Sequence, residues 1–367
     1  MNVRLLAETS PGEVRIAAVR EDELLDYALW RPGAPDTVGD LYRGRVRARA
    51  PAMGGVFVAL DSSEHGVHGF LPDTEGGRAL NEGMTIGVRI SRAAQAGKGP
   101  RLSGRLSPDE KMLIGLGGPG LVRHGPGALA RLAAQYPDAA VAVDDPALAA
   151  TLRPVLGDRL ALEKPAFDDA LASQIDALAE RVLELGNGAR ITFDSTPALV
   201  AIDVDTGAAA GSHLAINRAL VPVLARQIRL RNLSGAILID LAGLTTRKRA
   251  TLAPLFTEAL ADDPLRPRLL GFTTLGLAEI VRPRIYPPLH ELLIGPHAAG
   301  LAALRAVAAA ASRAGQSVPA LRAAPEVCRA LEEDKAAMAD LARLTGLALI
   351  LHADPSLPGN AWRLEYA

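Results

Sequence analysis

Two apolar runs, ALVAIDVDTG (198–207) and GAILIDLAGL (235–244), each close on aspartate, and the arginine-dense stretch LAINRALVPVLARQIRLRNL lies between them. Short apolar runs read as strands, and the 3.6-residue period of the intervening stretch reads as an amphipathic helix. Strand, helix, strand is a βαβ unit, so the two strands are parallel and their C-terminal ends share one edge. Asp203 and Asp240 then meet at the edge where open α/β sheets bind ligands. A carboxylate closing a buried strand is costly unless it is paired, hydrogen-bonded or holding a metal. Taken singly, each aspartate reads first as a strand-end cap, because Asp is common at strand ends. Two matched aspartates flanking an arginine-rich helix favour a site. Neighbouring carboxylates repel, and one stays protonated unless a cation neutralises them. Hard oxygen ligands without a His or Cys partner suit Mg²⁺ or Mn²⁺, which can polarise a phosphoryl oxygen and help generate hydroxide.

Around this unit the 367 residues, 49% of them hydrophobic, suffice for two or three domains. Residues 1–35 carry two strand-like runs, VRLLAE and EVRIAAVRE, and GAPDTVGD (33–40) reads as a linker. From Leu41 to Leu106 the runs LYRGRVRARA, GGVFVALD, GVHGFLP, TIGVRIS and RLSGRLS alternate with Gly-rich turns, the pattern of a small closed β-barrel. Between 107 and 190 the texture is mixed: a strand AAVAVD, a helix PALAATLRPVL, and a helical period through FDDALASQIDALAERVLEL. Residues 291–367 read as an Ala-rich helix, the strand VPALRA, one helix PEVCRALEEDKAAMADLARLTG, and the strands LALILHA and AWRLEYA.

Forty basic against 41 acidic side chains exclude a globally basic nucleic-acid binder but not a local basic groove. Cys328 alone allows no disulfide framework and no Cys-pair zinc site. The charged N-terminus lacks an apolar signal region, and the stretch 297–312 is short and broken by Arg305. The expectation is a soluble cytoplasmic chain without a membrane partner. Gly115, Gly117 and Gly120 fit G-x-G-x-x-G, but Pro119 interrupts the turn and no helix opens at once, so dinucleotide binding is not favoured. The histidines show no metal-ligand spacing; His65 and His68 fall in a barrel turn, and His213 reads as a surface residue near the aspartates or as an aid to proton transfer.

Barrels of this size bind single strands by stacking bases on aromatics beside a basic groove. With aromatics at 4% overall, Tyr42, Phe57 and Phe70 within one barrel stand out. Phe57, between Val56 and Val58, reads equally as barrel filling. Arg43, Arg45, Arg47 and Arg49 alternate and so share one strand face, tracking phosphates or merely solvated. Lys98 sits in the turn AGKGP, within reach of a phosphate.

GDLYRGRV, GGVFVALDSSEHGVHGFLP and GKGPRL resemble the S1-type RNA-binding domain of the ribonuclease E/G family, and ITFDSTPALVAIDVDTG, ARQIRLRNLSGAILIDL and GLAEIVRPR resemble that family's catalytic segment. The resemblance implies that Phe57, Phe70 and Lys98 contact single-stranded RNA, and that Asp203 and Asp240 hold the Mg²⁺ that activates water. Asp205 stands where the family carries an orienting asparagine and becomes a third candidate ligand. Gly243 replaces an acidic residue, and Leu275 replaces an arginine of the substrate clamp. The family's 5′-monophosphate sensor has too few residues here, and its Cys-x-x-Cys zinc link is absent, so no zinc is expected and any homodimer would lack that link.

The implied architecture is a multidomain α+β and α/β chain. An S1-type OB barrel (36–106) would be inserted in an RNase H-like subdomain (1–35 and 107–190). A DNase I-like catalytic domain (191–290) and a small C-terminal domain (291–367) would follow. The implied activity is hydrolytic, Mg²⁺-dependent endonucleolytic cleavage of single-stranded RNA in processing or decay, with maturation of ribosomal RNA as one setting. Tyr42, Arg43 and Arg45 would assist RNA binding, and Arg226, Arg229, Lys248, Arg282 and Arg284 would contact phosphate. The competing reading is an RNA-binding relative without catalysis.

Overall fold

The computed structural model describes residues 2–63, 66–95, 97–314 and 320–366; His65 and the first two residues of the run VPALRA lie outside them. The chain forms two compact units: Met1–Pro35 with Ala128–Arg282 and Pro288–Ala367, and Asp36–Gly127 with Pro283–Pro287.

The described residues of the first unit form three sheets. In the N-terminal one the order is Leu160–Leu162, Ala140–Val143, Arg4–Ser10, Glu13–Arg20, Glu23–Trp30. Arg4–Ser10 runs parallel to Ala140–Val143 and antiparallel to Glu13–Arg20. The sheet is buried on both faces: Leu5, Val14, Ile16 and Val141 pack on one side, and Leu6, Ala17, Val19 and Phe167 on the other. Burial on both sides removes the polar alternation, which is why EVRIAAV is nearly continuous apolar sequence. The third N-terminal strand, Glu23–Trp30, was not anticipated.

The second sheet has the order Val182–Glu184, Arg190–Ser195, Leu199–Asp205, Gly235–Asp240, Ala278–Arg282, Arg268–Phe272. The expected βαβ unit is there: Leu199–Asp205 and Gly235–Asp240 pair in parallel, joined by the helix His213–Leu230. Ile202, Val204, Ile237 and Ile239 alternate onto the face covered by that helix through Ile216, Leu220, Leu224 and Ile228. At about 25 cal/mol per Å², each fully buried Leu or Ile contributes on the order of 1.5–3 kcal/mol, so this face dominates the sheet's cohesion.

Two helices expected from period alone are shorter. The run 167–185 is helical only over Asp169–Asp176 and one 3-10 turn; Val182–Glu184 instead pairs with Arg190–Ser195 as a strand. The tail helix breaks into Pro325–Glu333 and Lys335–Thr345 at Asp334, whose backbone (φ −87, ψ 73) leaves the helical region. Asp334 caps the second helix through Ala337 N at 3.0 Å and meets His297 Nε2 at 2.8 Å. A three-stranded sheet of Leu351–Ala353, Ala320–Ala323 and Trp362–Glu365 completes the unit.

In the second unit five strands close a barrel. Gly55–Ala59 pairs with both His68–Pro72 and Leu41–Ala50, and Arg101–Ser103 and Thr85–Arg92 complete the ring. Val46, Val56, Val58, Leu71, Val88 and Leu102 fill it. The unit runs past residue 106. A helix, Pro108–Ile114, is held by a Ser107–Glu110 capping box, and Gly120–Arg123 adds a strand to Leu41–Ala50. The glycines 115–120 therefore lead into a strand rather than a helix, which removes the dinucleotide motif. The distant segment 283–287 joins through Ala93 N donating to Ile285 O at 2.9 Å.

Candidate functional site

Parallel register places Asp203 directly beside Asp240, with Thr192 on the other side of Asp203. Their neighbours Ile202, Val204 and Ile239 are buried, so both aspartates stand on the opposite, open face. The Asp203 carboxylate has no hydrogen-bond or ion-pair partner among the described residues. Asp240 receives Arg249 Nη1 at 3.0 Å, and the same guanidinium donates to Leu244 O and Gly276 O. Arg249 thus ties the second aspartate to the turn carrying Leu275, which is 84% exposed. Asp205, two residues along, turns to Arg190 (2.8 Å) and Gly207 N (2.9 Å), and these hydrogen bonds hold its carboxyl below the usual range. It is committed to those partners, and no three His, Cys, Asp or Glu residues among those described converge as a metal set. Two carboxylates, one of them unpartnered, fit a hard cation that keeps most of its water, as Mg²⁺ does.

The loops leaving these strands meet at His213, the first residue of the connecting helix, which Ser212 caps. Its Nδ1 lies 3.5 Å from Thr206 Oγ1, three residues past Asp203. Gly243, three past Asp240, adopts φ +61, and a Cβ there would come within 2.6 Å of the imidazole. Asn217, fully buried, donates to both His213 O (2.7 Å) and Ala242 O (3.0 Å).

Two arginines of the connecting helix that were expected at a phosphate pair with acidic side chains of the N-terminal sheet. Arg226 pairs with Glu23. It lines a cleft of about 530 Å³ with Leu178, Leu183 and Val223 that includes neither Asp203 nor Asp240. Arg229 Nε bonds Asp26 Oδ1 at 2.7 Å, a second bond joins its Nη2 to Asp26 Oδ2, and that Nη2 also donates to Tyr136 Oη at 2.7 Å. Arg282 is buried against Asp263 (2.6 Å) and Asn232 (2.6 Å). A guanidinium held away from water needs such a partner, as Arg229 and Arg282 have. Lys248 is exposed in the short helix Thr246–Ala250 that follows the Asp240 strand.

On the barrel, Val56 and Val58 point inward and Phe57 outward, so Phe57 does not fill the barrel. It faces Phe70 across the strands, ring centroids 5.5 Å apart and planes at 61°, an edge-to-face pair on the outer surface. The row continues through register: Phe70 opposes Arg101, and Arg101 opposes Arg92. Arg92 sits against Arg101 and Arg284, and its partial burial among like charges lowers its pKa. Neither Arg92 nor Arg101 has a carboxylate partner among the described residues. Sequence reasoning missed both, because only strand pairing puts them beside the phenylalanines. Lys98 is exposed in its turn. The expected arginine row breaks, since a bulge at Arg47 disrupts the alternation. Arg43 donates to Ile114 O and Gly118 O, Arg49 to Leu80 O, and Arg45 stays exposed. Tyr42 packs on the barrel core with its hydroxyl at Asp40, whose charge together with burial raises its pKa.

A family model described as Ribonuclease E/G family matches residues 148–285, the segment carrying both aspartates. That segment belongs to the ribonuclease E/G family. Ribonuclease G of Escherichia coli K12 is 32% identical over 139 residues, 35% of this chain and 28% of the relative. Ribonuclease E of the same strain is 24% identical over 401 residues, 79% of this chain and 38% of the relative. Ribonuclease E of Nostoc sp. PCC 7120 is 35% identical over 124 residues, 32% of this chain and 18% of the relative. The chain thus spans well under half the length of these curated relatives. Asp203, Asp240, His213 and Arg249 all lie inside the ribonuclease E/G segment, whereas the barrel residues Phe57, Phe70, Arg92 and Arg101 lie outside it. No helix among the described residues is long and apolar enough to cross a membrane.

Proposed function

We propose that this chain is a divalent-metal-dependent endoribonuclease acting on single-stranded RNA. The observation that carries the reading is the in-register pair Asp203–Asp240 on the open face of the βαβ unit. When bound there, Mg²⁺ or Mn²⁺ would polarise a phosphoryl oxygen and acidify a water. Asp203 and Asp240 would hold the cation, with Arg249 and Lys248 offering positive charge to the phosphate. The DNase I-like reading of this region and the RNase H-like reading of the N-terminal sheet belong to the same proposal. So does an S1-type reading of the barrel, and with it a role in RNA processing or decay, including ribosomal RNA.

On the barrel, Phe57 and Phe70 would stack bases while Arg92, Arg101 and Lys98 hold the backbone. Base–aromatic stacking contributes about 1–3 kcal/mol per base. Phe57→Ala is therefore expected to weaken binding of a short single-stranded RNA by roughly tenfold or more. Fluorescence anisotropy checks this, and unchanged affinity would return Phe57 to a purely structural place.

The Arg249–Asp240 ion pair favours a second reading, in which Asp240 is neutralised by arginine rather than by metal and the protein binds RNA without cutting it. One experiment separates the two. A labelled AU-rich single-stranded RNA is incubated with Mg²⁺ or with EDTA, beside Asp240→Asn. Cleavage that needs metal and vanishes in the variant supports the nuclease; tight binding with no cutting in Mg²⁺ supports the alternative.

A further inference from the structure

Building on the endoribonuclease reading, we propose that His213 is a catalytic residue that protonates the leaving 3′-oxygen of the scissile phosphodiester.

Three observations carry this. First, the imidazole stands where the loops following both aspartate strands converge, against Thr206 on one and Gly243 on the other. Second, the approach to Gly243 is so close that any side chain there would displace the ring, and that glycine holds a left-handed φ of +61 in which other residues are strained. Third, Asn217 fastens the helix turn bearing His213 to Ala242 with both of its amide protons, while its Oδ1 stays buried and unpartnered. The amide cannot turn over to cure this, because its oxygen would then face two carbonyls. An unpaired buried acceptor is destabilising, so the stitch holds the histidine at a cost to stability. Strain and unsatisfied groups of this kind collect where geometry serves chemistry.

With Nδ1 turned toward Thr206, Nε2 is the ring nitrogen without a partner among the described residues. Imidazole is the side chain suited to giving and regaining a proton near neutrality. In the step, water adds to phosphorus and the P–O3′ bond breaks, its electron pair staying on O3′. That oxygen takes the proton from Nε2 of protonated His213; the proton shed by the attacking water passes to solvent, from which the imidazole is recharged. The products are a 3′-hydroxyl and a 5′-phosphate.

The test uses the full chain on one RNA whose cut site has been mapped, and on the same RNA with sulfur replacing the bridging 3′-oxygen there. A thiolate leaves without needing a proton. His213→Ala is expected to slow single-turnover cleavage of the oxygen RNA by about 10²-fold or more, and to cleave the sulfur RNA within a few-fold of wild type. His213→Gln, which keeps the bulk over Gly243, should behave the same way, and circular dichroism melts confirm that both variants fold. Equal loss on both RNAs, or no loss on either, would overturn the role of His213 while leaving the nuclease standing. A wild-type protein inactive on the oxygen RNA under every metal would overturn the endoribonuclease reading and this one with it.

Discussion

Asp203→Asn is expected to lower cleavage of single-stranded RNA by roughly 10³-fold or more while changing RNA affinity by less than about threefold. The argument rests on where the charge sits. Asp203 is the one carboxylate of the matched pair without a partner among the described residues, whereas Asp240 already holds Arg249. A divalent cation replacing water ligands at this edge needs the charge of Asp203 most, and asparagine keeps the shape while removing it. The barrel row of Phe57, Phe70, Arg101 and Arg92 belongs to the other unit and is untouched by the change. Two adjoining like charges also oppose folding, so the melting temperature of the variant without metal should not fall and is expected to rise slightly. Retained cleavage with Mg²⁺ would show that the pair serves the fold alone.

Arg229→Ala is expected to cost the protein roughly 3–5 kcal/mol of stability, because it strands a buried carboxylate. Asp26 accepts from Arg229, from Tyr136 Oη at 2.7 Å and from Gln135 Nε2 at 2.7 Å. Burial works against the Arg229 charge, but the bonds to Asp26 outweigh it and raise its pKa. With about 2–4 °C per kcal/mol for a unit of this size, a melting-point drop on the order of 10 °C follows. The double variant Arg229→Met with Asp26→Leu should recover much of that loss, since an apolar pair of similar volume is often as stable as a buried ion pair. A variant that melts within 2 °C or so of wild type but binds RNA more weakly would restore the phosphate-contacting role drawn from sequence.

The acidic partners of Arg226 and Arg229 went unread for the same reason as the strand Glu23–Trp30. The acids that neutralise these arginines, Glu23 and Asp26, lie on that strand, some two hundred residues away, so a helix face that is inward and paired looks outward and free. Local period carries no information about such partners. It also favoured a helix over Val182–Glu184, where a neighbouring strand offered a better use of the backbone. The aspartate edge was legible for the opposite reason: strand length, direction and the abrupt end of each apolar run are all local, and register follows from them. Phe57 lay between these cases. Alternation with Val56 and Val58 says that it opposes them, but only the closed ring says which side is the inside.

The chain passes between the two units four times, the last pair of crossings enclosing only Pro283–Pro287. That short segment begins at the residue after Arg282, the end of a strand paired with the Asp240 strand, and Ile285 O accepts a hydrogen bond from Ala93 of the barrel unit. The barrel is therefore not an interchangeable cassette. A chimera carrying a different RNA-reading barrel would have to import two separate stretches of polypeptide at once, and recombination at residues 35 and 127 alone would leave the new barrel without its last strap.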